Sequence, residues 1–437
     1  MTRPLISYYG DDFTGSTDVM EALASNGVET VLFLKVPDAD LLSRFSGVHA
    51  YGLAGTSRSE TPEWMDVNLA EAFSWLKSLD AELCHYKVCS TFDSAPHVGS
   101  IGRAMEIGRK VFGEATVPLI VGAPQIRRYT AFGELFAAYQ GRNYRIDRHP
   151  VMSRHPVTPM DEANVLLHLA RQTSLSSALV DNVALLGHAD PAEADILLLD
   201  VLDDRTQRAA GTLLWNHLRA KSRFVCGSSG VEYALIPAWR DSGLIGPAPV
   251  FAAAGPVDRI AVVSGSVSPT TERQIRHALA NGFEGVTVDP VALSVQENAS
   301  TIMEAVDAGL KVLESGRSVV LYTALGPSAD RGGELDSSTG ARHRLGRALG
   351  RIQSELITRA GLSRAVVAGG DTSSHALGEM GISALTLKMP LPQTPGSPLC
   401  IAHGGAADGL QIALKGGQVG GDDYFSMIRA GGAGGQM

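Results

Sequence analysis

The chain has 437 residues and a formal net charge of −9 at pH 7, from 37 Lys and Arg against 46 Asp and Glu. Hydrophobic residues make up 44% of the sequence and charged residues 19%, so the chain can bury sizeable cores and is not disordered. The acidic balance argues against a protein that coats nucleic acid. No apolar run reaches the roughly 20 residues of a membrane span.

Length and cysteine usage set further expectations. A chain of this length favours two domains. Its four cysteines form no CxxC pair, which predicts reduced thiols rather than a disulfide scaffold. Because the sequence begins without a signal-peptide layout, we expect a cytoplasmic protein with no nucleic-acid or membrane partner.

The first half of the chain alternates short apolar strands with amphipathic helices. This alternation favours an α/β fold with a largely parallel sheet covered by helices on both faces. The predicted strands are 5–9, 28–34, 48–53, 84–89, 117–121, 196–201 and 224–226. The predicted helices are 17–26, 62–79, 99–112, 162–172 and 205–221.

A shift to Gly, Pro and Ala over 243–258 predicts a linker. A second α/β unit follows, with strands at 259–263, 319–323 and 365–368, a helix opened by Pro269 and another at 345–360. We therefore expect two domains, each with a largely parallel sheet flanked by helices, over 1–245 and 256–437, and an active cleft between them.

The first candidate site follows the first strand, in Gly-Asp-Asp-Phe-Thr-Gly-Ser-Thr-Asp at 10–18. Open α/β sheets place ligands at this end of their strands. Asp11 and Asp12 can accept hydrogen bonds from substrate hydroxyls, take a proton or hold a metal. Alternatively, one Asp caps the following helix. Adjacent residues leaving a strand tend to point to opposite sides, so we expect only one of the two to face a substrate.

A second candidate site follows the strand at 84–89, in Tyr-Lys-Val-Cys-Ser-Thr-Phe-Asp-Ser at 86–94. A lysine at the end of a buried strand is costly without a partner, and Lys87 with the hydroxyl of Ser90 suits a carboxylate or a phosphate. The alternative is a lysine that extends to solvent from an edge strand. Arg58 follows the strand at 48–53 and can bind a carboxylate with two hydrogen bonds.

The second half carries four glycine-containing turns, three of which follow strands. Such turns, with a helix N-terminus behind them, bind anions through backbone N–H groups, although ordinary turn chemistry explains any single one. The turns are Ser264–Ser266, Gly326-Pro327, Gly369–Thr372 and Lys415–Gly421. Together they predict a nucleotide phosphate site. The chain has no GxxxxGK[ST] motif, and no GxGxxG follows a strand.

Taken together, these segments resemble the four-carbon acid sugar kinase family. The resemblance covers nearly the whole chain through GDDFTGSTD at 10–18, YKVCSTFDS at 86–94, HPVTPM at 155–160, VVSGSVSPTT at 262–271, VAGGDTS at 367–373 and ALKGGQVGG at 413–421. It implies transfer of the ATP γ-phosphate to the 4-hydroxyl of D-threonate, D-erythronate or 3-oxo-tetronate, with Mg²⁺ as the counter-ion of the nucleotide.

The resemblance also implies roles for individual residues. Asp11 and Asp12 are the candidate catalytic residues. The residues expected to contact the acid sugar are Asp11, Asp12, Arg58, Lys87, Val88, Cys89 and Ser90. The residues expected to contact ATP are Ser266, Gly326, Gly369, Gly370, Asp371, Thr372, Gly416 and Gly417. The sequence assigns no metal ligands.

One segment departs from the family pattern. After the strand at 117–121 many members have Ala-Pro-Ala-Phe-Pro and then Asn-Gly-Arg, whereas this chain has Gly-Ala-Pro-Gln-Ile-Arg-Arg-Tyr at 122–129. If this loop lines the acceptor pocket, the preferred acid sugar differs from the commonest one. Two other classes stay open: a sugar-acid binding or sensor protein without turnover, and an NAD-dependent sugar-acid dehydrogenase. A homodimer is also left open.

Overall fold

A computed structural model describes residues 3–188, 190–296, 298–335, 340–391, 393–394 and 396–432. The chain forms two compact units, Met1–Pro249 and Val250–Met437. Each unit contains a largely parallel sheet flanked by helices, which confirms the predicted α/β class. Within the described residues, no helix is both long and apolar enough to cross a membrane.

The sheet of the first unit has eight parallel strands in the order β2-β3-β1-β4-β11-β5-β10-β9. The strands of this unit are β1 (Ile6–Gly10), β2 (Thr30–Phe33), β3 (Ala50–Ala54), β4 (Leu83–Lys87), β5 (Val117–Ile120), β6 (Arg128–Ala131), β7 (Glu134–Tyr139), β8 (Arg142–Arg145), β9 (Ser177–Val180), β10 (Ile196–Leu199) and β11 (Phe224–Gly227). The central strands β1, β4 and β11 are buried along their whole length, as apolar runs covered on both faces should be.

Strand register aligns the candidate residues at one edge of this sheet. Gly10 pairs with Ala54 of β3 and with Lys87 of β4, and Lys87 pairs with Gly227 of β11. Since the strands are parallel, the loops after β1, β3 and β4 all leave from the same edge. This edge therefore brings together the segments that begin at Asp11, near Arg58 and at Val88.

The helices of the first unit are α1 (Phe13–Ala24), α2 (Ala39–Ser43), α3 (Pro62–Ser78), α4 (Ile101–Phe112), α5 (Val165–Leu169), α6 (Asn182–Leu186), α7 (Asp204–Leu213) and α8 (Gly230–Asp241). Two differ from expectation. The helix predicted from residue 17 begins at Phe13, because Asp12 caps it. The helix predicted over 162–172 is a short turn that starts after the cap residue Asn164.

A separate antiparallel sheet, β6-β7-β8, was not predicted. Its turns place Phe132 and Gly133, and then Gln140 and Gly141, at positive φ, the backbone of tight hairpin turns. The buried Asp200 carboxylate after β10 accepts a hydrogen bond from the Gly133 N–H at 3.1 Å. The first hairpin is thereby attached to the edge of the main sheet.

The sheet of the second unit has the order β13-β14-β12-β15-β18-β17-β16, with β17 antiparallel to both of its neighbours and the other pairs parallel. Its strands are β12 (Ala261–Ser264), β13 (Phe283–Thr287), β14 (Ser318–Tyr322), β15 (Arg364–Ala368), β16 (Ala384–Met389), β17 (Leu399–His403) and β18 (Gln411–Lys415). Its helices are α9 (Pro269–Ala280), α10 (Pro290–Ser294), α11 (Ala299–Glu314), α12 (Gly332–Leu335), α13 (Ala341–Ala360), α14 (Gly370–Glu379) and α15 (Tyr424–Ala430).

Candidate active site

Arg58 is the centre of a charged cluster in the first unit. Its Nε and Nη2 donate to the two carboxylate oxygens of Asp11 at 3.0 and 2.8 Å, and its Nη1 donates to Asp12 at 2.7 Å. The backbone fixes the same arrangement, because the Arg58 N–H donates to the Asp11 carbonyl at 3.0 Å. One guanidinium thus holds both candidate catalytic carboxylates.

Asp12 has two structural partners. Its Oδ1 accepts from the Gly15 N–H at 2.6 Å and caps α1, while its Oδ2 accepts from Arg58. The expectation that Asp11 and Asp12 point to opposite sides is wrong. Strand alternation ends at Gly10, and the chain turns into α1 over these two residues, so both side chains reach the same cation.

Lys87 extends the cluster from the end of β4. Its side chain is 4% exposed, and its Nζ lies 3.7 Å from Asp18 Oδ2 on α1. Because β4 lies between β1 and β11, Lys87 is not the edge-strand lysine of the alternative interpretation. Within the described part of the chain the ammonium makes no hydrogen bond, so its donors are available to a ligand.

The loop after Lys87 adds further donors. The Val88 N–H donates to the Gly227 carbonyl at 2.7 Å and is used by the fold. The N–H groups of Cys89 and Ser90 and the Ser90 hydroxyl, in contrast, have no partner among the residues that the structure describes. Successive free N–H groups beside a cation form an anion-binding concavity.

Two of the sequence motifs meet beside this loop. Thr91 donates to Oδ1 of the buried Asp93, and Thr158 donates to its Oδ2 at 3.3 Å. The Thr158 N–H in turn donates to His155 Nδ1 at 3.1 Å. The segment at 155–160 therefore supports the loop at 88–94.

The cluster is electrically unusual because its members are buried together. Burial raises the pKa of Asp11, Arg58 lowers it, and the Asp12 charge raises it again, so that it ends above its ordinary value. Burial lowers the pKa of Lys87, but Asp18 and Asp11 raise it by more, so the lysine remains charged. Two carboxylates held beside fixed cations form a site that can accept a proton from a hydroxyl.

In the second unit three of the four predicted turns converge at the carboxyl ends of β12, β15 and β18. The Gly369 N–H donates to the Lys415 carbonyl at 2.8 Å, and the Gly265 N–H donates to the Ala368 carbonyl at 3.1 Å. The Ser266 hydroxyl lies 3.0 Å from the Thr271 hydroxyl at the start of α9. A glycine-rich platform results.

Lys415 is a residue of this platform that the sequence analysis did not assign to ATP. It is fully buried, and its Nζ donates to Thr271 Oγ1 at 3.0 Å and to the Gly416 carbonyl at 2.7 Å. In the described ranges no carboxylate pairs with it, and burial lowers its pKa to about 8. The Ser268 hydroxyl donates to the Gly417 carbonyl. Together with the Lys415 ammonium it fixes the shape of the Gly416–Gly417 turn.

Two glycines of the platform are constrained in different ways. Gly369 has φ of 122°, a conformation that favours glycine. Apart from its chain neighbours and the backbone of its own helix, a Cβ added to Gly370, the first residue of α14, would meet no described atom within 4 Å, which leaves room for a ligand at the helix N-terminus. The side chains of Asp371 and Thr372, also predicted to contact ATP, lie outside what the structure describes.

Gly326, after β14, has φ of 88°, and a Cβ there would lie 1.9 Å from Glu272 Oε2 on α9. Glu272 could move its flexible end away, so it is the positive φ that favours glycine here. Among the described residues no three His, Cys, Asp or Glu side chains are grouped as metal ligands. Mg²⁺ that arrives with nucleotide phosphates usually keeps several waters and is bound by only one or two protein carboxylates.

Comparison with known proteins identifies both units. Residues 6–235 match the family model of a sugar-binding N-terminal domain, and residues 261–425 match that of a nucleotide-binding C-terminal domain. A 3-oxo-isoapionate kinase of Paraburkholderia graminis is 46% identical, over 98% of this chain and 94% of its own. The chain belongs to the four-carbon acid sugar kinase family. This acid sugar kinase is accordingly a phosphotransferase with a nucleotide-binding domain.

More distant relatives support the same family assignment. A 3-oxo-tetronate kinase of Methylobacterium radiotolerans is 31% identical to this kinase, over 95% of the chain and 96% of its own length. Among solved structures, proteins from Salmonella typhimurium LT2 and Haemophilus influenzae match with TM-scores of 0.77 and 0.72 at 23% and 22% identity. They cover 98% and 96% of the kinase chain, with 99% and 98% of their own chains aligned, and they support the fold.

Proposed function

We propose that this kinase transfers the γ-phosphate of ATP to a terminal hydroxyl of a short 3-oxo sugar acid, with 3-oxo-isoapionate as the first candidate. The 46% identical relative is named for that substrate, and the 28–31% identical relatives are 3-oxo-tetronate kinases. The 4-hydroxyls of 3-oxo-tetronate, D-threonate and D-erythronate are the next candidates. Membership in a kinase family sets aside the binding-protein and dehydrogenase alternatives.

The observation that carries the proposal is the cluster of Asp11, Asp12, Arg58 and Lys87 at one sheet edge. A sugar hydroxyl is a poor nucleophile and needs a base that orients it and accepts its proton. The cluster supplies two carboxylates on one fixed cation, and next to them lie the Lys87 ammonium and the N–H groups of Cys89 and Ser90, which make no hydrogen bond within the described residues. Residues 1–245 thus hold the acceptor in this proposal, and 256–437 hold the nucleotide.

Within the cluster we assign to Asp12 the role of the base that accepts the hydroxyl proton. Its side chain is 31% exposed, whereas the Asp11 side chain is 6% exposed and has both oxygens on Arg58. Asp12 can therefore be reached by an acceptor hydroxyl, while Asp11 positions Arg58. The Asp12 carboxylate takes the hydroxyl proton as the new P–O bond forms, and Lys87 is close enough to the same carboxylates to orient the substrate oxygens.

The nucleotide is assigned to the platform of the second unit. The N–H groups in the first turn of α14 and the Gly416–Gly417 turn would hold the phosphates, with Ser266 beside them. Bound Mg²⁺ would offset the phosphate charge. The fixed Lys415 adds a positive charge below the turn without itself being exposed.

The proposal is tested by an assay of ADP release over a panel of acids. The panel contains 3-oxo-isoapionate, 3-oxo-tetronate, D-threonate and D-erythronate, each with ATP and Mg²⁺. We expect turnover above the ATPase background with at least one 3-oxo acid, and its loss in Asp12→Asn. Equal ADP release with and without every acid would contradict the proposal.

A further inference from the structure

Arg128 begins β6 and lies at the same sheet edge as Lys87. The Ala123 N–H donates to the Arg128 carbonyl at 2.9 Å, and the Arg128 N–H donates to the Ala123 carbonyl at 3.1 Å. These bonds hold it directly beyond the carboxyl end of β5, which pairs with β11, which in turn pairs with β4. The residue is therefore two strands from Lys87, in the segment that departs from the family pattern.

The guanidinium of Arg128 is only partly used by the protein. Its Nη1 donates to the carbonyls of Ile126 and Arg127, both at 3.1 Å. Its Nε is buried and has no hydrogen-bond partner in the described structure. A buried donor without a partner is costly, and a ligand acceptor would relieve that cost.

Arg128 also lacks a counter-ion, unlike the other two cations of the site. Arg58 is paired with Asp11 and Asp12, and Lys87 lies near Asp18. Over the described ranges no carboxylate lies within ion-pair distance of Arg128.

Arg128 and Cys89, in the loop after Lys87, are close enough to interact electrostatically. Burial lowers the pKa of Arg128, whereas Cys89 and Tyr129 raise it. Cys89 also acts on the pKa of Arg58 and of Lys87. The Cys89 thiol is thus within electrostatic reach of three cations, of which only Arg128 has no compensating carboxylate.

We propose that Arg128 binds the carboxylate of the sugar acid and so selects acids over neutral sugars. The inference rests on the proposed function. A guanidinium presents parallel N–H donors that match a carboxylate, and Arg128 has such donors free, whereas those of Arg58 are taken by Asp11. Lys87 and the donors at Cys89 and Ser90 then contact the hydroxyl and oxo oxygens of the acceptor, nearer to Asp12.

The test measures binding of an acid and of its neutral counterpart by calorimetry, without ATP. The acid is the panel member that the wild-type protein binds most tightly, and the counterpart has the same carbon skeleton with the carboxylate reduced to an alcohol. The variants are Arg128→Met and Arg128→Lys. Arg127→Met is the matched control, because Arg127 is the exposed neighbour of Arg128 and donates no side-chain hydrogen bond within the described residues.

We expect Arg128→Met to weaken acid binding roughly 30- to 300-fold, as the loss of a charged two-bond contact should. The neutral counterpart should bind wild type and Arg128→Met alike, and ATP affinity should not change. Arg128→Lys should restore part of the acid affinity, because it keeps the charge but not the parallel N–H donors of the guanidinium. It is also the variant to use if Arg128→Met does not fold. Arg127→Met should behave as wild type.

Three results separate the inference from the proposed function. Unchanged acid binding in Arg128→Met, or equal losses for the acid and the neutral counterpart, overturns the role of Arg128 alone. If acid binding depends on Arg128 but no ADP is released, only the proposed kinase reaction on that acid is overturned. A wild-type protein that binds no member of the panel overturns both.

Discussion

The Arg58 guanidinium donates to both oxygens of Asp11, at 3.0 Å from Nε and 2.8 Å from Nη2. The same guanidinium reaches Asp12 with its remaining nitrogen at 2.7 Å. Because the Asp11 side chain is 6% exposed and that of Asp12 is 31% exposed, the two carboxylates differ in what they can do. Asp11 fixes the cation, and Asp12 remains accessible to a substrate.

The first prediction is therefore an asymmetry between Asp12→Asn and Asp11→Asn. Asp12→Asn keeps an oxygen for the cap of α1 but removes the base, so kcat should fall by about 10²-fold or more with ATP affinity retained. Asp11→Asn leaves the half-buried Arg58 guanidinium with only the Asp12 carboxylate and should lower the free energy of unfolding by about 1–3 kcal/mol. Steady-state kinetics and urea denaturation separate the two effects. If both variants turn over at wild-type rates, the base lies elsewhere, and His149 or His155 becomes the next candidate.

The second prediction concerns the Lys87 ammonium, whose donors are free within the described residues. Lys87→Met keeps most of the side-chain volume and removes the charge. We expect a loss of roughly 2–4 kcal/mol of transition-state binding, or about 30- to 1000-fold in kcat/KM. Lys110→Met, at an exposed position of α4, is the control. A change of less than threefold at Lys87 would show that it is structural.

Gly15 provides the third prediction. A Cβ there would lie 2.6 Å from Asp12 Oδ1 and 3.0 Å from Lys87 Nζ. Gly15→Ala should therefore displace both charged groups and lower kcat/KM for the acceptor by roughly tenfold or more, while ATP binding is kept. Gly47→Ala is the matched control, since a Cβ at Gly47 meets nothing within 4 Å. Wild-type activity in Gly15→Ala would mean that the acceptor does not depend on the geometry at the start of α1.

The fourth prediction tests the nucleotide platform. Apart from its chain neighbours and its own helix backbone, a Cβ at Gly370 contacts no described atom within 4 Å, so Gly370→Val should fold, yet it fills the space beside the N-terminus of α14. We expect ATP affinity to fall by tenfold or more, at least about 1.4 kcal/mol. Gly378→Val, at an exposed and equally open position of α14, controls for the lower helix propensity of valine. Unchanged ATP affinity in Gly370→Val with the fold intact would place the phosphates elsewhere. Gly369→Val should also lose ATP, but its φ of 122° adds backbone strain.

The fifth prediction is a pH dependence of stability. Burial raises the pKa of Asp200 from 3.8 to about 6, so the folded state binds its proton more tightly than the unfolded chain does. The stability that this group contributes is full below pH 3.8 and is lost as the pH rises through about 6. Near pH 4 the free energy of unfolding of Asp200→Asn should be lower than that of wild type. Near pH 7 the difference between the two proteins should have shifted by about 2–3 kcal/mol in favour of the variant. Urea denaturation at both pH values measures this change. An equal difference at the two pH values would contradict it.

The order of strands and helices could be predicted because apolar runs and glycine turns are local signals. Asp11, Arg58 and Lys87 could be proposed together because parallel strands end at one edge. The hydrogen bonds among these residues could not be predicted, because the path of the two residues between Gly10 and α1 decides where the Asp12 side chain points. The hairpins of β6–β8 are short and polar and carry no strong alternation. Lys415 was unassigned because a lysine beside glycines gives no sign that it is buried without a carboxylate.

The pairing of Arg58 and Lys87 with carboxylates also bears on how fast a substrate arrives. Carboxylates inside the protein compensate the charges of Arg58 and Lys87, so these two residues attract anions little beyond the site. The chain as a whole has a formal net charge of −9. Both substrates are anions and must approach a chain of net negative charge. Added salt shortens the range of that repulsion to about 8 Å at physiological ionic strength. Association should therefore become faster as ionic strength rises, the reverse of enzymes that steer anions with a basic entrance.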